Sequence, residues 1–341
     1  MSNAIPITLL TGYLGSGKTT LLARLLTHPE LRDTAVLVNE FGGIALDHDL
    51  LYSAAESVVL LDRGCLCCAL RSDLAEQLDD LYTRRLRKEL PAFRRVVIET
   101  TGLADPAPIL QTLVAEPTLA ALYRLDAVVT TADGQLGVQE LEQHFESVKQ
   151  AALADRIVVT KADIAVEAAL QLLESRLREL NPAAPIVRSR NGDIDPASIL
   201  DIGFDAAGRD PGRIDGWLRS ERYRPVSAHP PLIPGNSPVH DRRIRSFAVT
   251  FDEPVSGSAL WRGLETLIEH HGEQLLRVKG IVNVRAQSVP RVIHIVQHVL
   301  YPVLTLPGWP SEDRRTRLVF IVRDLEQAQV LEPLQQALAA D

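Results

Sequence analysis

Short, almost unbroken apolar runs alternate with longer amphipathic stretches through the first two-thirds of the chain. The runs ITLLTG, AVLVNEF, SVVLLD, RRVVIET, DAVVTTAD, RIVVTKAD and APIVRS are rich in β-branched residues, which predicts strands buried on both faces. Between them KTTLLARLL, SDLAEQLDDLYTRRLRKEL, PAPILQTLVA, QELEQHFESVKQAALA and VEAALQLLESRLREL repeat apolar residues at helical spacing. This alternation predicts an α/β domain with a mostly parallel sheet covered on both sides. Right-handed crossovers then gather the loops that follow the strands along one edge, where ligands bind in such folds.

From about Gly203 to Asp241 the pattern dissolves into Gly, Pro, Arg and isolated aromatics, which reads as a connection. It resumes at Ile244 with a strand (IRSFAVTF), a helix (SGSALWRGLETLIEHHG), strands at LLRVKGIVNV, RVIHIVQHV and RLVFIVRD, and a last helix. At 341 residues the chain is longer than one hydrophobic core usually serves. The expected division is an α/β domain over 1–205, which carries the P-loop NTPase signature GYLGSGKTT, a linker over 206–242 and a smaller α+β domain over 243–341.

The chemistry starts at GYLGSGKTT, Gly12 to Thr20, set between the first strand and the first helix. Gly12, Gly15 and Gly17 let the backbone curl with its N–H groups turned inward on an anion, with Ser16 and Thr20 beside them, and the helix beginning near Lys18 adds the positive end of its dipole. Lys18 would reach the β- and γ-phosphates and Thr19 would ligate Mg²⁺. A complete G-x-x-x-x-G-K-T in this context favours a nucleoside triphosphate over a plain glycine turn. The fourth strand ends in Glu99 and runs into ETTGLADP, so Glu99 is expected to act on Mg²⁺ or the attacking water. Gly102 would let the backbone approach the γ-phosphate. After the sixth strand comes TKAD, Thr160 to Asp163, similar to the guanine motif of GTPases. There Asp163 would accept both N1–H and the amino group of guanine while the Lys161 stem crosses the base.

All three cysteines fall in GCLCC, at Cys65, Cys67 and Cys68. Cysteines so close cannot staple a fold; they suit a reducing compartment and a thiolate site for Zn²⁺ or another borderline ion. Glu40 and Asp47 to Asp49 follow the second strand and could supply a further ligand. Small buried thiols or a redox pair are the competing readings, and a redox pair lacks a partner outside the cluster. His294 and His298 sit in an apolar strand-like run and read as structural.

Composition narrows the remaining classes. Hydrophobic residues make up 46% and charged residues 23%, as in ordinary globular proteins, and the net charge of −8 disfavours non-specific nucleic-acid binding. No apolar run approaches the ~18 residues of a membrane span, and the N-terminal segment lacks a basic n-region, so a cytoplasmic protein is expected. Five of the 36 basic residues are lysines, and two of these, Lys18 and Lys161, fall in the nucleotide motifs.

The phosphate loop, NEFG, GCxCC, ETTGxADP and TKxD together resemble the CobW-type metallochaperone GTPases. These belong to the SIMIBI class, with the nickel-insertion GTPases of hydrogenase and urease maturation. QHVLYPVLTLPGWP followed by RLVFIVRDL resembles that family's C-terminal domain. The resemblance implies slow GTP hydrolysis coupled to binding and delivery of a transition metal. Gly12 to Thr20, Gly102, Glu99, Thr160, Lys161 and Asp163 would serve GTP and Mg²⁺. Cys65, Cys67, Cys68 and Glu40 would hold the metal, zinc ahead of cobalt, nickel or iron, for a client metalloprotein met through the C-terminal domain and switch loops. Two departures stand out: Gly43 follows NEFG where an acidic residue is common, and there is no histidine-rich tract. A metal sensor that delivers nothing and an ATP-dependent kinase or transferase are the alternatives.

Overall fold

The computed structural model describes residues 4–38, 59–62, 72–203, 211–227 and 244–340. They fall into two compact units, Met1–Leu177 with Ala184–Asp205, and Arg178–Ala183 with Ala206–Asp341. Among the described residues no helix is long and apolar enough to cross a membrane.

The first unit is built on seven strands: β1 (Ile5–Gly12), β2 (Thr34–Val38), β3 (Val59–Asp62), β4 (Arg95–Glu99), β5 (Tyr123–Asp133), β6 (Arg156–Thr160) and β7 (Ile186–Arg188). They lie in the order β3-β2-β4-β1-β5-β6-β7 and every pairing is parallel. Helices α1 (Lys18–Leu26), α2 (Ser72–Leu86), α3 (Pro106–Ala115), α4 (Pro117–Leu122), α5 (Gly137–Gln143), α6 (Phe145–Leu153) and α7 (Glu167–Leu180) connect them. Parallel strands covered on both faces need apolar residues at consecutive positions, and Ile7, Leu9 and Leu10 of β1 and Val96, Val97 and Ile98 of β4 are all buried. Leu21, Leu22, Leu25 and Leu26 of α1 pack on Val36, Val97, Val129 and Val158; each such leucine contributes about 1.5–3 kcal/mol by leaving water.

Register aligns the strand ends that carry the motifs. Leu10 pairs with Glu99, Gly12 with Thr131, and Asp133 with Thr160. Toward the other end of the sheet Asp126, fully buried, accepts from Arg95 Nη1 at 3.0 Å, Thr8 Oγ1 at 3.2 Å and the backbone N–H of Asp201 at 2.9 Å. Burial is the largest influence on its carboxyl and raises its pKa.

One expected helix is two. The stretch QELEQHFESVKQAALA breaks at His144, whose backbone is extended, with α5 before it and α6 after it. The His144 ring stacks on Tyr13 with centroids 4.5 Å apart, a tertiary contact that helical periodicity does not encode.

In the second unit, strands β8 (Arg224–Ser227), β9 (Ile244–Phe251), β10 (Leu275–Val282), β11 (Arg291–Val296), β12 (Val299–Leu300), β13 (Leu304–Thr305) and β14 (Thr316–Arg323) form a sheet of order β12-β11-β10-β14-β9-β8, with β13 on β11. All its pairings are antiparallel except β8 with β9. Helices α9 (Gly257–His271) and α10 (Gln327–Ala339) bring Leu260, Leu264, Leu267, Val330 and Leu334 onto Phe247, Val278, Leu318 and Phe320. The stretch read as a connection holds structure of its own: α8 (Pro211–Leu218) and β8. Ile214, Trp217 and Leu218 repeat at helical spacing and are buried, a short signal hidden among glycine and proline. His294 is buried in β11, stacked on Tyr301 at 4.4 Å.

Candidate functional site

Strand β1 ends in a turn that only glycine accommodates. Gly12 has φ of 143°, and a Cβ on it would fall 2.2 Å from Thr131 Oγ1. Gly15 and Gly17 also have positive φ, and α1 begins immediately after Gly17. The loop is braced by residues of β5 and β6. Ser16 Oγ lies 2.6 Å from Thr131 Oγ1, and Thr160 Oγ1 donates to Ser16 O at 2.7 Å. Lys18 is buried and its ammonium donates to Gly12 O at 2.9 Å and Tyr13 O at 3.1 Å, which holds the charge across the loop. Thr20 is exposed.

Glu99, at the end of β4, is 4% exposed and accepts from Thr19 Oγ1 at 2.6 Å, although the two are 80 residues apart in the chain. The loop beyond it lies against the phosphate loop: a Cβ on Gly102 would fall 2.5 Å from the backbone nitrogen of Leu14. Thr100 Oγ1 donates to Thr11 Oγ1 at 2.9 Å, and Thr100 N donates to Leu10 O at 2.9 Å. From the far side, Gln150 Nε2 donates to the carbonyls of Gly102 and Ala104, each at 3.1 Å, and Lys149 pairs with Asp105. Asp105 also caps α3 by accepting from Ala107 N.

The TKAD loop divides its work. Thr160 serves the phosphate loop, as described. Lys161 has φ of 55° and reaches Asp133 Oδ2 at 2.5 Å. Asp133 is buried, and its other oxygen accepts from Gln135 N and Leu136 N, turning the chain at the end of β5. Asp163 is exposed, and its Oδ1 accepts from Asn191 N at 3.1 Å. The 189–193 loop follows β7 along this motif, with Ala162 N donating to Ser189 O.

Glu140 of α5 completes the charge distribution. Its carboxyl is 8% exposed, and its pKa is raised to about 7, first by burial and then by Asp133, with Lys161 and Lys18 opposing.

Thus Gly12 to Thr19, Glu99, Gly102 and Thr160 stand together at one edge of the sheet, with Lys161 and Asp163 on the neighbouring loop. Cys65, Cys67, Cys68 and Glu40 lie outside the described residues. Among the described residues no group of three or more His, Cys, Asp or Glu side chains is placed to hold a metal ion. Asp133, Glu140, Gln150 and the 189–193 loop are not among the residues expected from sequence. Two of them carried a signal: Asp133 ends a strand as Glu99 does, and Asn191-Gly192 is a turn dipeptide.

Comparison with known proteins agrees with this architecture. Residues 6–188 match the family "CobW/HypB/UreG, nucleotide-binding domain", and residues 244–338 match the "Cobalamin synthesis protein cobW C-terminal domain". The zinc chaperone YjiA of Escherichia coli is 34% identical over 96% of this chain and 97% of its own length. The zinc chaperone CobW of Pseudomonas aeruginosa is 29% identical over 98% and 92%. The crystal structure of Zn(II)-bound YjiA GTPase from E. coli superposes with a TM-score of 0.70 at 26% identity, covering 98% of this chain and 99% of that one. A Zn(II)-bound YjiA variant with one glutamate and two cysteines replaced by alanine gives the same TM-score.

Proposed function

The chain belongs to the CobW/HypB/UreG family, and from that premise we propose that it is a GTP-hydrolysing zinc carrier. The observation that carries the nucleotide half is the 2.6 Å pair of Thr19 Oγ1 and Glu99 Oε1 beneath the glycine loop, with the Lys18 ammonium close by. Because the Thr19 proton points at Glu99, the lone pairs of its oxygen are left for a cation. The pair therefore fits Mg²⁺, with Thr19 as ligand and Glu99 acting through bound water. Mg²⁺ in that position would neutralise charge on the β- and γ-phosphate oxygens. Lys18 would leave the Gly12 and Tyr13 carbonyls for the phosphates. Asp163 would read the guanine N1–H and amino group, a pairing adenine does not offer.

The metal half rests on GCLCC and on relatives named zinc chaperones. Cys65, Cys67, Cys68 and Glu40 are the proposed zinc ligands, in a segment bounded by β2 and α2. The described strands that precede Glu40 and the cysteines in the chain, β2 and β3, end at Val38 and Asp62, in register with Glu99 at the end of β4. GTP would order the surrounding loops into a binding geometry, and hydrolysis would release the metal to a client protein.

The test is a thermodynamic square measured by calorimetry, with zinc titrated into the protein holding GTP–Mg²⁺ and holding GDP. Tighter zinc binding with GTP, matched by an equal gain in GTP affinity with zinc, is expected; such couplings are typically ~5–150-fold. Identical zinc affinity in both states would end the gated-carrier reading. Replacing Cys65, Cys67 and Cys68 with alanine should abolish the coupling even if zinc still binds elsewhere. Phosphate release from GTP but not from ATP tests the base assignment.

A further inference from the structure

Gln150 of α6 is 1% exposed, and the nucleotide chemistry above makes no use of it. Its Nε2 donates to Gly102 O and Ala104 O at 3.1 Å each, while its own backbone carbonyl accepts from Thr130 Oγ1 at 2.8 Å. Two carbonyls can be served only by the amide nitrogen, which fixes the orientation of the side chain. Oε1 is left buried without a hydrogen-bond partner among the described residues. Leucine or methionine would fill this space but would leave both carbonyls without this donor, so the amide is what ties the loop to α6.

The surroundings suggest what it does. At the start of the same helix His144 stacks on Tyr13 of the phosphate loop, and the neighbouring Lys149 holds Asp105. The Gly102 backbone is thereby pressed between Leu14 on one side and Gln150 on the other. A loop held on both sides meets the γ-phosphate already shaped and spends no binding energy on ordering.

We propose that Gln150 is a positioning residue for γ-phosphate recognition and hydrolysis, acting by holding the Gly102 and Ala104 carbonyls. The role rests on the GTP reading of the site. Gln150→Met keeps the volume and removes the donor. It should lower kcat by roughly 10–100-fold while GDP affinity stays within about threefold, and the preference for a non-hydrolysable GTP analogue over GDP should shrink about tenfold. Gln150→Glu supplies a sharper readout. Its protonated carboxyl can donate one hydrogen bond and its carboxylate none, so turnover should fall as pH rises through the pKa of the new group. The methionine variant should keep the wild-type pH profile at a lower level.

Wild-type kcat and wild-type discrimination between the GTP analogue and GDP in folded Gln150→Met would overturn the proposal. So would an equal loss of GDP and GTP-analogue binding, which marks general damage. If the methionine variant does not fold, the pH profile of Gln150→Glu decides, and a profile parallel to wild type rejects the role. A wild-type protein that turns over no GTP would sink the hydrolytic reading of the site. The preference for the GTP analogue needs no turnover and would still decide on Gln150.

Discussion

The two ends of the parallel sheet each bury a carboxylate against a threonine, and they are finished in opposite ways. Toward the N-terminal end Asp126 takes a guanidinium from Arg95, a hydroxyl from Thr8 and a backbone N–H from Asp201. Arg95 in turn reaches Asp201 at 3.1 Å, so positive charge for the buried acid comes from within the fold. At the C-terminal end Glu99 accepts from the neutral hydroxyl of Thr19 and is surrounded by a glycine turn, threonines and a lysine folded onto backbone carbonyls. A guanidinium from β4 serves the buried acid at one end, and at the other a hydroxyl of α1 does, beside the glycine loop. Stability and activity should therefore respond to different residues of the same sheet.

The largest effect should follow from opening the N-terminal cluster. Arg95→Ala leaves Asp126 buried without its guanidinium and should cost about 3–5 kcal/mol in urea unfolding. Its folded fraction should bind GTP as wild type does; a loss of affinity in that fraction would break the division between the ends. At the C-terminal edge, Lys18→Ala should lower turnover by roughly 10²–10³-fold in a phosphate-release assay, with a melting temperature close to wild type. Glu99→Gln should reduce kcat far more than it changes the affinity for GTP, and an unchanged kcat would make Glu99 structural like Asp126. Next in size, Asp163→Asn should weaken GTP by about 10–100-fold, the value of a charge-assisted hydrogen bond, and should improve binding of xanthosine triphosphate in competition titrations.

The smallest effect concerns Glu140, whose pKa in the folded chain is raised from 4.5 to about 7. Below pH 4.5 folded and unfolded chains both hold this proton. Between pH 4.5 and about 7 only the folded chain keeps it, so its contribution to stability is lost as pH rises through that window. Melting curves at pH 5 and pH 8 should differ less in Glu140→Gln than in wild type. Phosphates bound beside Glu140 would favour its protonated form. GTP binding near pH 7 should thus take up protons in wild type and fewer in the variant, as calorimetry in buffers of different ionisation enthalpy would show.

What could be read from sequence was whatever a strand or helix writes locally. Seven apolar runs became the seven strands of the first sheet, and the loops at GYLGSGKTT, ETTG and TKAD follow the strands to which they were assigned. Contacts that the fold creates between distant segments left no such trace. His144 breaks a regular helical pattern because Tyr13 lies beneath it. Gln150 looks like any polar residue of an amphipathic helix until Gly102 and Ala104 arrive from a loop some 46 residues earlier. Glu140 reads as a solvent-facing acid and is buried among Asp133, Lys161 and Lys18. In the second unit α8 escaped because Gly212, Gly216 and Pro211 outweigh three apolar positions in any pattern of propensity.

The placement of β1 between β4 and β5 has a consequence for how the chain acquires its shape. The phosphate loop is synthesised before either strand that flanks β1, and the hydroxyls that brace it belong to Thr131 and Thr160. Parallel pairing of this kind closes long loops before any contact repays the entropy, which makes it slow. A nascent chain released before β5 would hold the whole glycine motif and no formed site. Protection of the Gly12–Lys18 amides in pulsed hydrogen exchange should accordingly appear together with β5 and β6, and not with α1.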